Sequence, residues 1–144
     1  MLLRSLLTAS LILCLACTWC AGGRAAGCGD FLAAVGHKPE GLEFTGCEKS
    51  LRAQLAVLQA HYQVRGADAA VMEEYFVSYS GMPRLRFACC GWENAHGGYG
   101  KLTNENAEEY IVSMCSGESL YSSRSEWFLI PWFYVTVEFL LEEP

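Results

Sequence analysis

Two adjacent cysteines and a histidine supply the chemistry-capable residue types in one passage, Arg86-Phe-Ala-Cys-Cys-Gly-Trp-Glu-Asn-Ala-His-Gly-Gly-Tyr-Gly100. A thiol becomes a nucleophile when an imidazole lowers its pKa in an exposed, electropositive setting. His96 follows Cys90 closely enough for a tight loop to bring the two together. A redox pair is ordinarily spaced Cys-x-x-Cys beside a βαβ unit, and no such unit is visible. Tetrahedral zinc sites use closely spaced cysteine or histidine pairs. His37, His61 and His96 do not pair in that way, so the expectation is no metal and no cofactor. Gly97, Gly98 and Gly100 depart from the phosphate-loop pattern, because Leu102 follows Lys101 where a hydroxyl residue is required. They suit a hairpin loop better. Glu73-Glu74 and Glu108-Glu109 are adjacent carboxylates that diverge on helix or strand, unlike a convergent acid/base pair. The chemistry therefore favours a non-enzyme. The alternative is a thiol-dependent enzyme or redox protein using Cys89 or Cys90 with His96.

The beginning of the chain bears on where those thiols reside. Arg4 precedes an apolar block from about Leu6 to Cys17, and small residues from Ala21 to Gly27 follow. The block falls short of the roughly 20 apolar residues of a spanning helix. This order is that of a secretory signal peptide over residues 1–26, cleaved between about Gly23 and Gly27. Residues 27–144 then form one domain, with no repeat or long linker dividing them. Removing Arg4 and Arg24 from the 10 basic residues leaves 8 against 16 acidic ones, a net charge of −8. Such a chain repels phosphate backbones, so nucleic-acid binding is not expected. Membrane attachment would require lipidation at a cysteine such as Cys28, whose flanking residues match a lipidation site only loosely.

Five cysteines remain in the mature segment: Cys28, Cys47, Cys89, Cys90 and Cys115. In an oxidising compartment they are first read as disulfide partners, giving two bridges and one leftover.

The elements decide the pairing. Residues 28–36 read as a short helix led by Asp30 and ended by Gly36. Residues 42–48 alternate as a strand, with Leu42 and Phe44 on one face and Cys47 on the other. The stretch from about Gln54 to Val64 is ambiguous and read as a strand. Residues 66–81 give the clearest helix, with Ala67, Val71, Tyr75 and Tyr79 as its apolar stripe and Asp68, Glu73 and Glu74 facing away or favouring its early turns. Leu85, Phe87 and Cys89 alternate with Arg84, Arg86 and Cys90 as a further strand. Residues 109–115 and 132–141 complete the set, and the polar stretch between them reads as a turn or short helix. The expectation is an α+β two-layer sandwich, a mainly antiparallel sheet of about five strands with two helices on one face. Because side chains in a strand alternate, parity assigns Cys28 to Cys89 and Cys47 to Cys90. Cys115 is left as a buried free thiol. Arg84, Arg86 and Trp92 would then share the exposed face as a candidate interface.

Four stretches, CGDFL (28–32), KPEGLEFTGC (38–47), GMPRLRFACCGWE (81–93) and IPWFYVTVEFLLE (130–142), resemble an uncharacterised family of small exported bacterial proteins, a domain of unknown function. The resemblance implies a single domain and an extended second strand, and it carries over no catalytic or binding residue. The expected role is that of a periplasmic or secreted bacterial protein that binds another protein, as an inhibitor, immunity or envelope-assembly domain.

Overall fold

Alternation of apolar and polar residues governs most of the chain, and the computed structural model, which describes residues 27–141, turns it into one sheet. Its strands are β1 (Glu43–Arg52), β2 (Leu55–Arg65), β3 (Leu85–Ala88), β4 (Gly91–Asn94), β5 (Gly100–Thr103), β6 (Glu109–Glu118) and β7 (Trp132–Leu140). They lie in the order β1-β2-β7-β6-β4-β3, with β5 also paired to β6, and every pairing is antiparallel. Helices α1 (Phe31–Ala34) and α2 (Ala69–Ser80) join short 3-10 turns at Gly66–Asp68, Ala95–Gly97 and Arg124–Leu129. The α+β reading holds in outline, but the described residues form seven strands rather than about five. The expected signal peptide lies outside the described residues.

The central pairing shows why the ambiguous segment is extended. Ala60, Tyr62 and Val64 of β2 stand opposite Val137, Val135 and Phe133 of β7, and all six are buried. A strand gives each of these side chains an apolar partner across the ladder, which is the unit of sheet stabilisation. Val112 and Met114 of β6 extend the same face.

Helix α2 corrects the expected stripe. Its buried residues are Ala69, Met72, Glu73, Phe76 and Ser80, whereas Val71 and Tyr79 are exposed. Two polar residues occupy the core-facing side, so hydrophobicity alone selects the wrong face. Gly81 ends the helix in the left-handed region (φ 66°), and the amides of Gly81 and Met82 return to the carbonyls of Val77 and Phe76.

β4 and β5 follow one line along β6, broken between them by the 3-10 turn at Ala95–Gly97. Asn94 bridges the break. Its Oδ1 accepts from the Met114 amide at 2.7 Å and its Nδ2 donates to the Pro83 carbonyl at 2.8 Å. Both strands have only four residues and begin at a glycine, too short for alternation to reveal them.

Candidate functional site

Among the described residues one disulfide joins Cys28 to Cys47, with Cα atoms 5.6 Å apart, and Cys89, Cys90 and Cys115 are free. The expected pairs Cys28–Cys89 and Cys47–Cys90 are therefore corrected. One cause lies in β1, where the register shifts between Phe44 and Gly46. Thr45 is an extra residue there, and such a bulge inverts the alternation beyond it. Cys47 consequently stands opposite buried Ala60, on the face that carries α1. The second cause lies at the other end of the presumed bridges. Ala88 pairs with Gly91, so Cys89 and Cys90 are the two-residue connection of the β3–β4 hairpin rather than strand residues.

Tight two-residue hairpin connections require backbone in the left-handed region, where glycine is favoured. Cys89 adopts it, with φ 54°. The Cys90 amide returns to the Ala88 carbonyl at 2.7 Å, and the Cys90 carbonyl accepts from the Ser119 amide at 2.6 Å. Both cysteines are exposed. The neighbouring Cys89 thiol, and to a lesser degree the charges of Glu118 and Glu93, push the Cys90 thiol above its ordinary value. His96 does not approach them: it sits past the far end of β4, a strand that rises roughly 3.3 Å per residue. Cys115 is also exposed rather than buried. It stands beside Tyr134 of β7 and Glu93 of β4 on the other sheet face.

Trp92 leaves the expected interface. With the turn at Cys89-Cys90, it stands opposite Phe87 and faces the core, 5 % exposed. Its Nε1 donates to the Tyr121 carbonyl at 2.9 Å, and its ring meets Trp127 edge-on with centroids 5.0 Å apart. Arg86 remains exposed opposite Glu93, 3.5 Å from its carboxylate. Arg84 turns toward α2, reaching Glu74 at 2.6 Å and Glu73 at 3.5 Å. The three residues thus form no single patch.

Glu73 is the feature that periodicity concealed. Expected to face away or favour the helix's early turns, it is 1 % exposed. Its Oε1 accepts from the Leu85 amide at 2.6 Å and from Arg124 Nη2 at 2.9 Å, and Oε2 accepts from Arg124 Nη1. The Arg124 guanidinium also donates to the Leu85 carbonyl and lies over the Trp127 ring, 4.7 Å from its centroid. A buried carboxylate requires such compensation. This network ties α2, β3 and the 3-10 turn at Arg124–Leu129 together, and every hydrogen-bonding oxygen of Glu73 is engaged.

The helices α1 and α2 cover one face of the sheet. On the other face, β2, β7 and β6 present Gln63, His61, Tyr134, Thr136, Ser113 and Cys115 in register. Tyr134 is 45 % exposed. A shallow dent of about 210 Å³ lies where β4 breaks from β6, lined by Glu93, Asn94, Ser113, Cys115, Tyr134 and Thr136 among others. One end of this face is closed: Val57 and Ile111 are buried, and Arg52 reaches Glu138 at 3.2 Å while stacking over Tyr99. Among the described residues, no three His, Cys, Asp or Glu side chains converge as a metal site would require. Also among them, no helix is long and apolar enough to cross a membrane.

Fold and cysteines together define a disulfide-bearing α+β domain with an open antiparallel sheet. A family described as a domain of unknown function (DUF4952) matches residues 21–92, half of the chain, and the chain belongs to that family. The match runs from before the disulfide through α2 to the β3–β4 hairpin, so it includes Cys28, Cys47, Cys89 and Cys90 and leaves out Cys115. No curated protein and no solved structure matches the chain.

Proposed function

We propose that this chain is an exported bacterial protein of the periplasm or extracellular space that acts by binding another protein through the open face of its sheet. The observation that carries the reading is exposed Tyr134 on β7, flanked in register across β2, β7 and β6 by the half-buried polar side chains of His61, Gln63 and Thr136. Tyrosine supplies a large contact area with a polar tip and is enriched where protein surfaces meet. The Cys28–Cys47 bridge supports export, since disulfides persist in oxidising compartments. It also holds α1 on the opposite face, which leaves this one free. The net charge of −8 on the segment after the expected signal favours a partner with a basic surface.

The test is capture from the exported fraction of the native host by the mature protein, beside Tyr134→Arg/Thr136→Arg and a control altered at Val71 on α2. A partner held by the wild type and the control but released by the sheet variant supports the proposal. Retention by the sheet variant, or capture of nothing, overturns it.

A further inference from the structure

We propose that the Cys89–Cys90 hairpin apex is a thiol–disulfide exchange site whose substrate is a small, uncharged or cationic disulfide. The inference does not rest on the binding role proposed above. Free cysteine is among the most buried residue types, yet two stand exposed side by side at the tip of β3–β4. Cys89 moreover holds a backbone conformation that glycine would adopt at less cost (φ 54°). Packing therefore does not account for either side chain, whereas the apex provides exposure and a second thiol adjacent to the first. Because the Cys90 thiol is held above its ordinary value, its step runs through a small thiolate fraction and quickens as pH rises.

In the first step, the Cys89 sulfur attacks one sulfur of the substrate disulfide as its own proton leaves to solvent. A mixed disulfide forms and one substrate thiolate departs. The Cys90 sulfur then attacks the Cys89 sulfur, loses its proton and expels the second substrate thiolate. Two electrons pass from the apex to the substrate, two substrate thiols are released, and an eight-membered ring closes across the Cys89–Cys90 peptide. Consecutive Cα atoms stand about 3.8 Å apart across a trans peptide, closer than the separations of roughly 4.4–6.8 Å usual for disulfides. The ring is therefore strained, and strained, exposed disulfides are the readily reduced ones. Exchange is reversible on this account: an added thiol reopens the ring, while Cys28–Cys47 persists.

Charge sets the substrate preference. Glu118 stands opposite Gly91 in the β4–β6 ladder and lines the same depression as Cys90. Glu93 is partly offset by Arg86 at 3.5 Å, and the chain as a whole is acidic. An anionic disulfide such as oxidised glutathione is repelled, whereas cystamine, a dication, is attracted. One unit-charge contact at low salt corresponds to roughly a fivefold rate difference in water, and added salt should shrink it.

Peptide mapping of the mature protein reads the outcome directly. Tryptic cleavage after Arg86 and Lys101 isolates Cys89 and Cys90 on one peptide, and Cys115 lies on the peptide after it. The protein is incubated with cystamine or oxidised glutathione, the remaining thiols are alkylated, and masses are compared over time. The expected product is the Phe87–Lys101 peptide lacking two hydrogens and both alkyl groups, formed faster with cystamine and reopened by dithiol at a concentration that spares Cys28–Cys47. Cys90→Ser should instead accumulate a stable Cys89 adduct, with Cys28–Cys47 and near-ultraviolet circular dichroism confirming that the variant folds. Independent alkylation of both cysteines after prolonged exposure, two stable adducts on the wild type, or crosslinking only between molecules would each overturn the proposal. Ring formation at equal rates with both disulfides would overturn the stated substrate preference.

Discussion

Arg124 closes its guanidinium on the buried carboxylate of Glu73 across 51 residues of sequence, and between them they satisfy both the amide and the carbonyl of Leu85. Removing the cation leaves a charge with little water to replace it. Breaking a buried pair from one side costs about 3–5 kcal/mol, and the exposure of Arg124, 42 % of its side chain, reduces that. Arg124→Met should destabilise the protein by about 2–3 kcal/mol, measured as a fall in the urea midpoint. Adding Glu73→Gln, which keeps an acceptor for Leu85, should recover part of the loss. A double variant as unstable as the sum of the two singles would refute the coupling.

The Cys28–Cys47 bridge closes a loop with a sequence separation of 19 residues. In the chain-entropy account such a loop contributes about 3 kcal/mol. Cys28→Ser/Cys47→Ser should lose about that amount and become indifferent to reductant in denaturant titrations. The wild type should fall to the level of the double variant when reduced. Loss of an equal amount from Cys89→Ser would mean that the staple had been misplaced.

Gly66 lies where the 3-10 turn at Arg124–Leu129 meets the entrance to α2. A Cβ there would come within 2.0 Å of the Ile130 carbonyl oxygen and 2.1 Å of that of Trp127. Both are backbone atoms, so no side chain can rotate away. Gly66→Ala should cost about 3 kcal/mol through overpacking, whereas Gly46→Ala, with open space around the new methyl, should stay within about 0.5 kcal/mol. Equal thermal midpoints for the two variants would contradict the packing described.

Where the physics is local, the sequence carries it. The alternation of Phe133, Val135, Val137 and Phe139 places β7 and its inner face, and Leu58 to Val64 does the same for β2 once partners are supplied. Cysteine pairing was not readable, because a single bulged residue, Thr45, reverses the parity on which the assignment depended. The hairpin at Cys89-Cys90 offered one usable signal. A two-residue turn there would have set Trp92 opposite Phe87 and inside the core. Glu73 offered none, since its partner is distant in sequence and only the tertiary fold brings it near. The exposure of Tyr134 was hidden in the same way, because it depends on which sheet face the helices cover.

Asp30 gives the fold a dependence on acid. Its partial burial raises the carboxyl's pKa, but hydrogen bonds from Lys38, the Ala33 amide and Tyr62 outweigh this and hold it below the ordinary value. Lys38 Nζ stands 2.6 Å from Oδ2, and the Tyr62 hydroxyl donates to Oδ1 at 3.1 Å. A depressed carboxyl contributes stability that is present above its unfolded pKa, near 3.9, and is lost as pH falls through the lower native value. Asparagine caps a helix about as well as aspartate, so Asp30→Asn isolates the charge. It should cost about 0.5–1 kcal/mol at neutral pH, and the gap to wild type should close as the solution is acidified below that range. Lys38→Met should reproduce most of the neutral-pH loss. A gap that persists unchanged in acid would show that the amide disturbs the cap itself, and the assignment of this stability to the carboxylate would fall.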